Sequence, residues 1–271
     1  MNSNQEQLVY WINEREAIRQ RKAHDQPKPW SDNPVMQTTY FCNVHREDDK
    51  VTKWLRETFD ATAEFYADIE EYPSVANFCM ARLVNRIESL KELFWPWEYF
   101  RKADFKHQAS RLKPFWGNAY VVTTHGQRMS KVDYAVDVLG HVFKANPTIP
   151  IGYTLEAAHR LLCTLEGFGS FMAAQVVADL KNTQGHTLGD ADDYWVWSAP
   201  GPGSLRGLTW FFEEKVSAPN YDWRVKRAWE IVMDDVPPMD MQDFQNCLCE
   251  YDKFMRVTNG TGRSKRKYQG V

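Results

Sequence analysis

Leu165-Glu-Gly-Phe-Gly-Ser-Phe-Met-Ala-Ala-Gln-Val-Val177 decides how the rest of the chain is read. Gly167 and Gly169 permit a tight turn with backbone angles closed to other residues. Ser170 carries a hydroxyl suited to capping a following helix. Ala173, Val176, Val177 and Leu180 then recur at helical spacing, which predicts a helix over 170–181. Residues 154–164 read as its partner. Two helices joined this way form a helix-hairpin-helix, which aims backbone N–H groups at one point where a DNA phosphate fits. Gly167, Gly169 and Ser170 are therefore the expected DNA-binding residues of the hairpin. The plainer reading is a glycine turn between two core helices.

Outward from the hairpin nearly everything reads helical. Leu8, Ile12 and Ile18 mark an amphipathic helix over 4–23. Lys28-Pro-Trp-Ser-Asp-Asn-Pro34 is a turn-rich connector. A long helix is predicted from Glu47 to Ile69, with Val51, Trp54, Leu55, Phe59 and Phe65 on its apolar side. Another starts at Pro73-Ser74 and carries Val75, Phe78, Leu83, Ile87 and Leu90. Trp95-Pro-Trp97 interrupts, and a further helix follows. Tyr120 to Thr124 is the one β-prone run and reads as extended loop. Helices are predicted over 130–145, 205–215, 222–235 and 240–255, with a loop rich in Gly and Asp over 182–204. The expected fold is all-α, an orthogonal helical array rather than a heptad bundle. Residues 1–258 are expected to form one helical catalytic domain, with helix 4–23 packed on it. Residues 259–271 are expected to be a basic flexible tail.

Composition narrows the function classes. A chain of 271 residues with 43% hydrophobic content suffices for a sizeable core. No apolar run approaches the roughly 20 residues needed to span a bilayer, and the N-terminus is polar, so no membrane or secretory role is expected. Cys42, Cys79, Cys163, Cys247 and Cys249 are odd in number and lack zinc-ligand spacing. They read as reduced thiols in a cytoplasmic protein, which means the host cytoplasm if a phage encodes it. Net charge is −3, so nucleic-acid binding must come from local clusters. Arg15, Arg19, Arg21 and Lys22 form one; Arg263, Lys265, Arg266 and Lys267 form another, of which Lys265 and Arg266 are taken as DNA-binding. Eleven Trp residues supply core, and some are available to stack on bases. There is no Gly-x-x-x-x-Gly-Lys-Ser/Thr, no His-x-Glu with Cys-x-x-Cys and no Gly-x-Ser-x-Gly. No metal site and no cofactor are implied; His125 and His141 read as packing or surface residues.

Two further segments are dense in polar groups. In Phe41-Cys-Asn-Val-His-Arg-Glu-Asp-Asp-Lys50, Asn43 or His45 is placed to cap the long helix, and Glu47, Asp48 and Asp49 suit its dipole. The planar fork of Arg46 matches phosphate oxygens. The bland reading is a capped helix start with surface charge. In Gly189-Asp-Ala-Asp-Asp-Tyr-Trp195, the carboxylates Asp190, Asp192 and Asp193 cluster. Pro200-Gly-Pro-Gly203 then makes a rigid turn into a helix predicted to start at Ser204. With Arg206, its N–H groups form an anion site. Here the bland reading is a Pro-Gly loop beside a solvated acidic face.

The hairpin resembles the Leu-x-Gly-x-Gly hairpin of helix-hairpin-helix DNA glycosylases. Those enzymes carry an essential Asp at about the remove at which Asp190 and Asp193 follow Gly169. They often carry a Lys just after the second Gly, where this chain has Ser170 and Phe171; that departure argues against Schiff-base chemistry. A wider resemblance takes in Trp30-Ser-Asp, Tyr40-Phe-Cys-Asn-Val44, Arg46-Glu-Asp48, Gly167-x-Gly169 and Pro200-Gly-Pro-Gly-Ser-x-Arg-Gly-Leu208 in one order. This pattern resembles the helical domain of phage 5-hydroxymethyluracil DNA kinases and the related α-glutamyl/putrescinyl-thymine pyrophosphorylases, or amino acid:DNA transferases. It covers residues 5–255.

That resemblance implies a phage thymidine-hypermodification enzyme. Its partners would be double-stranded DNA carrying phosphorylated 5-hydroxymethyluracil, an amino acid or polyamine donor, and the phage DNA kinase. The missing P-loop fits a stand-alone transferase better than the kinase. The chemistry assigns roles. Arg46, Arg206 and the Ser204 turn would stabilise the leaving phosphate. Asp190, Asp192, Asp193 or Glu47 would take the amine's proton. Arg86 or Arg82 would hold an amino-acid carboxylate. Tyr40, Phe41 or Trp195 would stack on a flipped base, with Asn43 among the substrate contacts. The rival readings are a glycosylase-like base-excision enzyme using Asp190 or Asp193 with water, and a non-catalytic DNA-binding partner of the kinase.

Overall fold

The computed structural model describes residues 1–63, 74–118, 124, 126, 128–183 and 187–262. Twelve α-helices make up their regular structure, with no β-strand among the described residues. In chain order they are α1 (Ser3–Ala23), α2 (Pro34–Thr38), α3 (Lys50–Ala63), α4 (Val75–Val84), α5 (Ile87–Glu92), α6 (Lys102–Arg111), α7 (Lys131–Ala145), α8 (Leu155–Cys163), α9 (Ser170–Lys181), α10 (Pro202–Phe212), α11 (Tyr221–Val232) and α12 (Met241–Thr258). Short 3₁₀ turns cover Arg46–Asp48, Thr187–Asp190 and Ala218–Asn220. The chain divides into two compact units: Met1–Asp49 with Trp195–Val271, and Lys50–Tyr194.

In the first unit, Asn2 and Gln5 start α1 with a reciprocal capping box, each bond 2.9 Å. Leu8, Trp11, Ile12 and Ile18 give α1 a buried face. That face joins one core with Leu208 and Phe211 of α10, Val225 and Val232 of α11, and Phe244, Leu248, Tyr251 and Phe254 of α12. Burying each such side chain contributes about 1.5–3 kcal/mol. The tightest approach lies between α10 and α12. A Cβ on Gly207 would stand 2.1 Å from the carbonyl oxygen of Leu248, and one on Gly203 would stand 2.2 Å from Cys249 Sγ. The Gly-Ser-Leu-Arg-Gly spacing puts both glycines on one face of α10, because residues four apart lie one above the other.

The second unit is built around α4, all ten of whose residues are buried. A helix buried on every side is apolar all round. The two polar exceptions have partners. The Asn77 amide donates to the Trp97 carbonyl and accepts from its N–H, both at 2.7 Å. The Arg82 guanidinium forks onto the Asp179 carboxylate of α9, and Thr52 Oγ1 on α3 donates to the same group at 2.8 Å. Arg82 is thus a buried structural cation rather than a group open to an amino-acid carboxylate.

Several expectations are corrected. The helix predicted from Glu47 begins at Lys50, behind a separate 3₁₀ turn. Asp49 is extended between them (ψ 134°), and Asp243 holds Arg46 N at 2.7 Å, so a tertiary contact overrides local preference. The helix predicted through Val75 and Leu90 is two helices, α4 and α5. Asn85 breaks it at φ 50°, a left-handed conformation that Asn tolerates. Helix α10 starts at Pro202, with Ser204 third in its first turn. The β-prone 120–123, the basic tail with Lys265 and Arg266, Phe65 and His125 lie outside the described residues.

Gly207→Ala should lower the urea midpoint, costing about 1–3 kcal/mol by overpacking. Gly140→Ala on α7, where a Cβ would meet only Phe100 Cδ1 at 3.9 Å, should gain up to about 1 kcal/mol from helix propensity. Equal effects of the two substitutions in the same melt would remove the close-contact account of α10 and α12.

Candidate functional site

Helix α12 organises the polar groups of the first unit. At 3.6 residues per turn, Gln245, Cys249, Lys253 and Arg256 fall on one strip. They are half-buried, while most of their neighbours on the helix are buried. Along one edge of this strip, α12 meets α10. Gln245 Nε2 donates to Ser204 Oγ at 3.2 Å; that hydroxyl also donates to the Gly201 carbonyl and accepts from its N–H. Arg206 Nε bonds Asp252 Oδ2 at 2.9 Å.

Along the other edge runs the segment 40–48, held largely by side chains. Lys253 Nζ donates to the Tyr40 carbonyl (3.3 Å), Cys42 N to Glu250 Oε2 (3.0 Å), and Asn246 Nδ2 to the Asn43 carbonyl (3.1 Å). Asp243 takes Arg46 N on one oxygen and faces His45 Nδ1 with the other at 3.3 Å. From α1, Arg15 Nε donates to the Cys42 carbonyl and its terminal nitrogen to Asn43, while Arg19 pairs with Asp48 at 3.3 Å. Asn43 donates to the Asp48 carbonyl at 2.9 Å, and His45 makes no side-chain cap. Phe41 is buried, edge-on to Trp11 and tilted against Phe254, so of the Tyr40-Phe41 pair only Tyr40 is exposed. Glu47 is exposed. Trp195 is exposed as well, and its carbonyl receives Met241 N at the start of α12.

The electrostatics follow from these partners. Burial pushes the Glu16 carboxyl up, but bonds from Arg19 and Gln20 outweigh it and hold the group below its ordinary value. The bond to Asp243 raises His45 above its ordinary 6.5. Burial pushes the Cys249 thiol up to about 11 and that of Cys42 to about 12. Both are thiols at neutral pH and unsuited to nucleophilic attack. Tyr40, Asn43, Arg46, Glu47, Trp195, Ser204 and Arg206 thus all belong to this unit, and most of them meet α12. Asp243, Glu250, Asp252 and Arg256 escaped sequence reading, and Arg15 was read only as part of a basic cluster. On α12 the polar residues Gln242, Asp243, Glu250 and Asp252 are buried, which their sequence spacing alone does not announce.

The other sequence-selected residues lie in the second unit. Gly167 adopts φ +81°, and a Cβ there would strike Val138 Cγ2 at 2.6 Å, so this position demands glycine. Gly169 has an ordinary φ of −79° and is the N-cap of α9, with nothing within 4 Å of where a Cβ would stand. Ser170 is therefore not the cap but the first helical residue; its hydroxyl lies 3.2 Å from His159 Nε2. Asp193 caps α8, its two oxygens accepting Leu155 N at 2.6 Å and Glu156 N at 3.0 Å. Asp190 is exposed at the end of a 3₁₀ turn. Arg86 donates to the Pro114 carbonyl at 2.6 Å and pairs with Glu88 at 3.3 Å. His141 pairs with Glu166 at 2.9 Å.

The described residues are all-helical, and the polar groups of the first unit gather along α12; no cluster of metal-ligating side chains occurs among the described residues. The chain belongs to the family described as 5-hmdU DNA kinase, helical domain, which it matches over residues 3–264. It is 24% identical over 230 residues to a 5-hmdU DNA kinase of Bacillus phage SP10. That match takes in 76% of this chain and 36% of the relative, so the chain corresponds to about a third of that protein. No solved structure matches it. Among the described residues no helix is long and apolar enough to cross a membrane.

A histidine whose pKa is raised by folding contributes stability in full below its unfolded value, near 6.5, and loses it as pH rises through the folded value. The stability contributed by His45 should therefore decline with rising pH above that point. Asp243→Asn keeps an acceptor for Arg46 N and should drop the His45 titration, followed by imidazole proton NMR, toward 6.5. An unmoved titration would show that Asp243 is not its cause.

Proposed function

We propose that this chain is an amine transferase of thymidine hypermodification. It would replace the phosphate or pyrophosphate on 5-hydroxymethyluracil in DNA with an amino acid or polyamine. The observation that carries this reading is membership of the 5-hmdU DNA kinase helical-domain family over residues 3–264, in a chain whose first unit gathers Arg206, the Ser204 turn and Arg46 about α12. In the reaction, a C–N bond forms at the 5-methylene carbon and the C–O bond to phosphate breaks. The phosphate departs with the electron pair, and the amine's proton passes to a carboxylate.

The first unit supplies chemistry suited to each need. Arg206, with the Ser204 turn and Arg46, would stabilise the leaving group's charge. Tyr40 and Trp195 present exposed rings on which a flipped base can stack. Of the carboxylates considered, Glu47 is exposed in the same unit as these cations and is the preferred proton acceptor. Asp193 would have to combine such a role with capping α8. The hairpin carrying Gly167, Gly169 and Ser170 would grip the DNA backbone, and the tail residues Lys265 and Arg266 are separate candidates for DNA contact; Asn43 would contact substrate in the first unit.

The test is incubation with duplex DNA bearing phosphorylated 5-hydroxymethyluracil and candidate amines, followed by nucleoside mass spectrometry. Transfer gives a thymine mass-shifted by the amine. Abasic sites would mean a base-excision enzyme, and binding without any mass change a non-catalytic partner of the kinase. Glu47→Gln should retain DNA affinity and lose most transfer, because the amide is nearly isosteric and a poor base. Asp193→Asn separates cap from base: lower stability with activity kept per folded molecule assigns it to the cap.

A further inference from the structure

Asp252 is 1% exposed and serves two arginines at once. Its Oδ2 accepts Arg206 Nε at 2.9 Å and Arg256 Nε at 3.2 Å, while Oδ1 faces Trp210 Nε1 at 3.3 Å. One cation suffices to neutralise a buried carboxylate. The second guanidinium is drawn to the same oxygen although the two nitrogens then lie within about 6 Å, where like charges repel. Both arginines use Nε for this contact. Among the described residues, neither donates its terminal nitrogens to another protein group. Their side chains are 53% and 37% exposed. The result is a net positive charge at the surface, its two planar forks oriented by a buried carboxylate at the strip on α12.

We propose that Arg206 and Arg256 form a two-arginine clamp for a phosphoryl group. An anion between them would relieve their repulsion, and each fork could bind phosphate oxygens through the nitrogens left over. The clamp deepens the transferase reading and rests on it for the phosphate's source, which is either the phosphate or pyrophosphate released by the reaction or a phosphodiester of the DNA backbone. Arg256 is a binding residue in either case; Asp252 is a positioning residue that touches no ligand.

The experiment uses the whole chain labelled at arginine Nε. The Nε–Hε resonances of the wild-type protein are followed during titration with inorganic pyrophosphate and, separately, with an unmodified DNA duplex across a salt series. Arg256→Gln and Arg206→Gln assign the two signals. If the clamp takes the leaving group, both signals move with pyrophosphate and Arg256→Gln weakens that binding about tenfold, with duplex affinity unchanged. If it takes the DNA backbone, duplex affinity falls in Arg256→Gln and the salt slope drops by about one. Resonances unmoved by both titrants in the wild-type protein overturn the clamp, whether or not the variants fold. Absence of transfer by the wild-type protein, with pyrophosphate binding intact, would sink the transferase reading alone.

Discussion

The first unit depends on how closely α10 can lie against α12. Gly203 and Gly207 let the backbones approach to a distance that any side chain would forbid. This contact does more than fill the core. It fixes the rotation of α10 about its axis, and hence the side on which Arg206 and Ser204 emerge. A helix displaced outward by one methyl group would carry Arg206 away from Asp252, leaving a buried carboxylate with poorer compensation. Packing and electrostatics are therefore coupled at one place, and the polar strip inherits its geometry from two missing side chains.

The other side of the strip has a different origin. Segment 40–48 has little regular structure of its own beyond one 3₁₀ turn. Its path is set by Asp243, Asn246, Glu250 and Lys253 of α12 and by Arg15 of α1, each satisfying a backbone group that a helix or sheet would otherwise satisfy. Glu16, Arg19, Asp48, His45 and Asp243 form alternating charges across this contact.

Helix identity was legible because apolar spacing is a local signal. α1, α7, α8, α9, α11 and α12 fall where periodicity places them, to within a few residues. The errors came where a distant group decided a local matter. Asp243 captured the start of the predicted long helix, and Asp193 took a capping role for α8 from 38 residues away. Arg82 was named beside Arg86 for an amino-acid carboxylate because sequence spacing carries no sign of Asp179. The 40–48 and 200–208 segments were recognised as polar interruptions. The helix on which they converge was not, because its carboxylates are read as solvent-facing until their partners are known. Gly203 was read as a turn residue and Gly207 only as part of a motif, whereas their contact with α12 depends on a helix about forty positions further on.

The buried pair in the second unit bears on how such a chain can diverge. Removing either Arg82 or Asp179 alone leaves a charge stranded away from water, at a cost of about 3–5 kcal/mol, a large share of a domain's whole stability. Replacing both by apolar residues of similar volume can be neutral. Single substitutions that remove one charge at these two positions are therefore costly, and a paired exchange is the cheaper way out of the arrangement. Around them a sequence is free to drift. A relationship faint in overall identity would remain visible longest at sites like these, where the barrier lies in the intermediate and not in the destination.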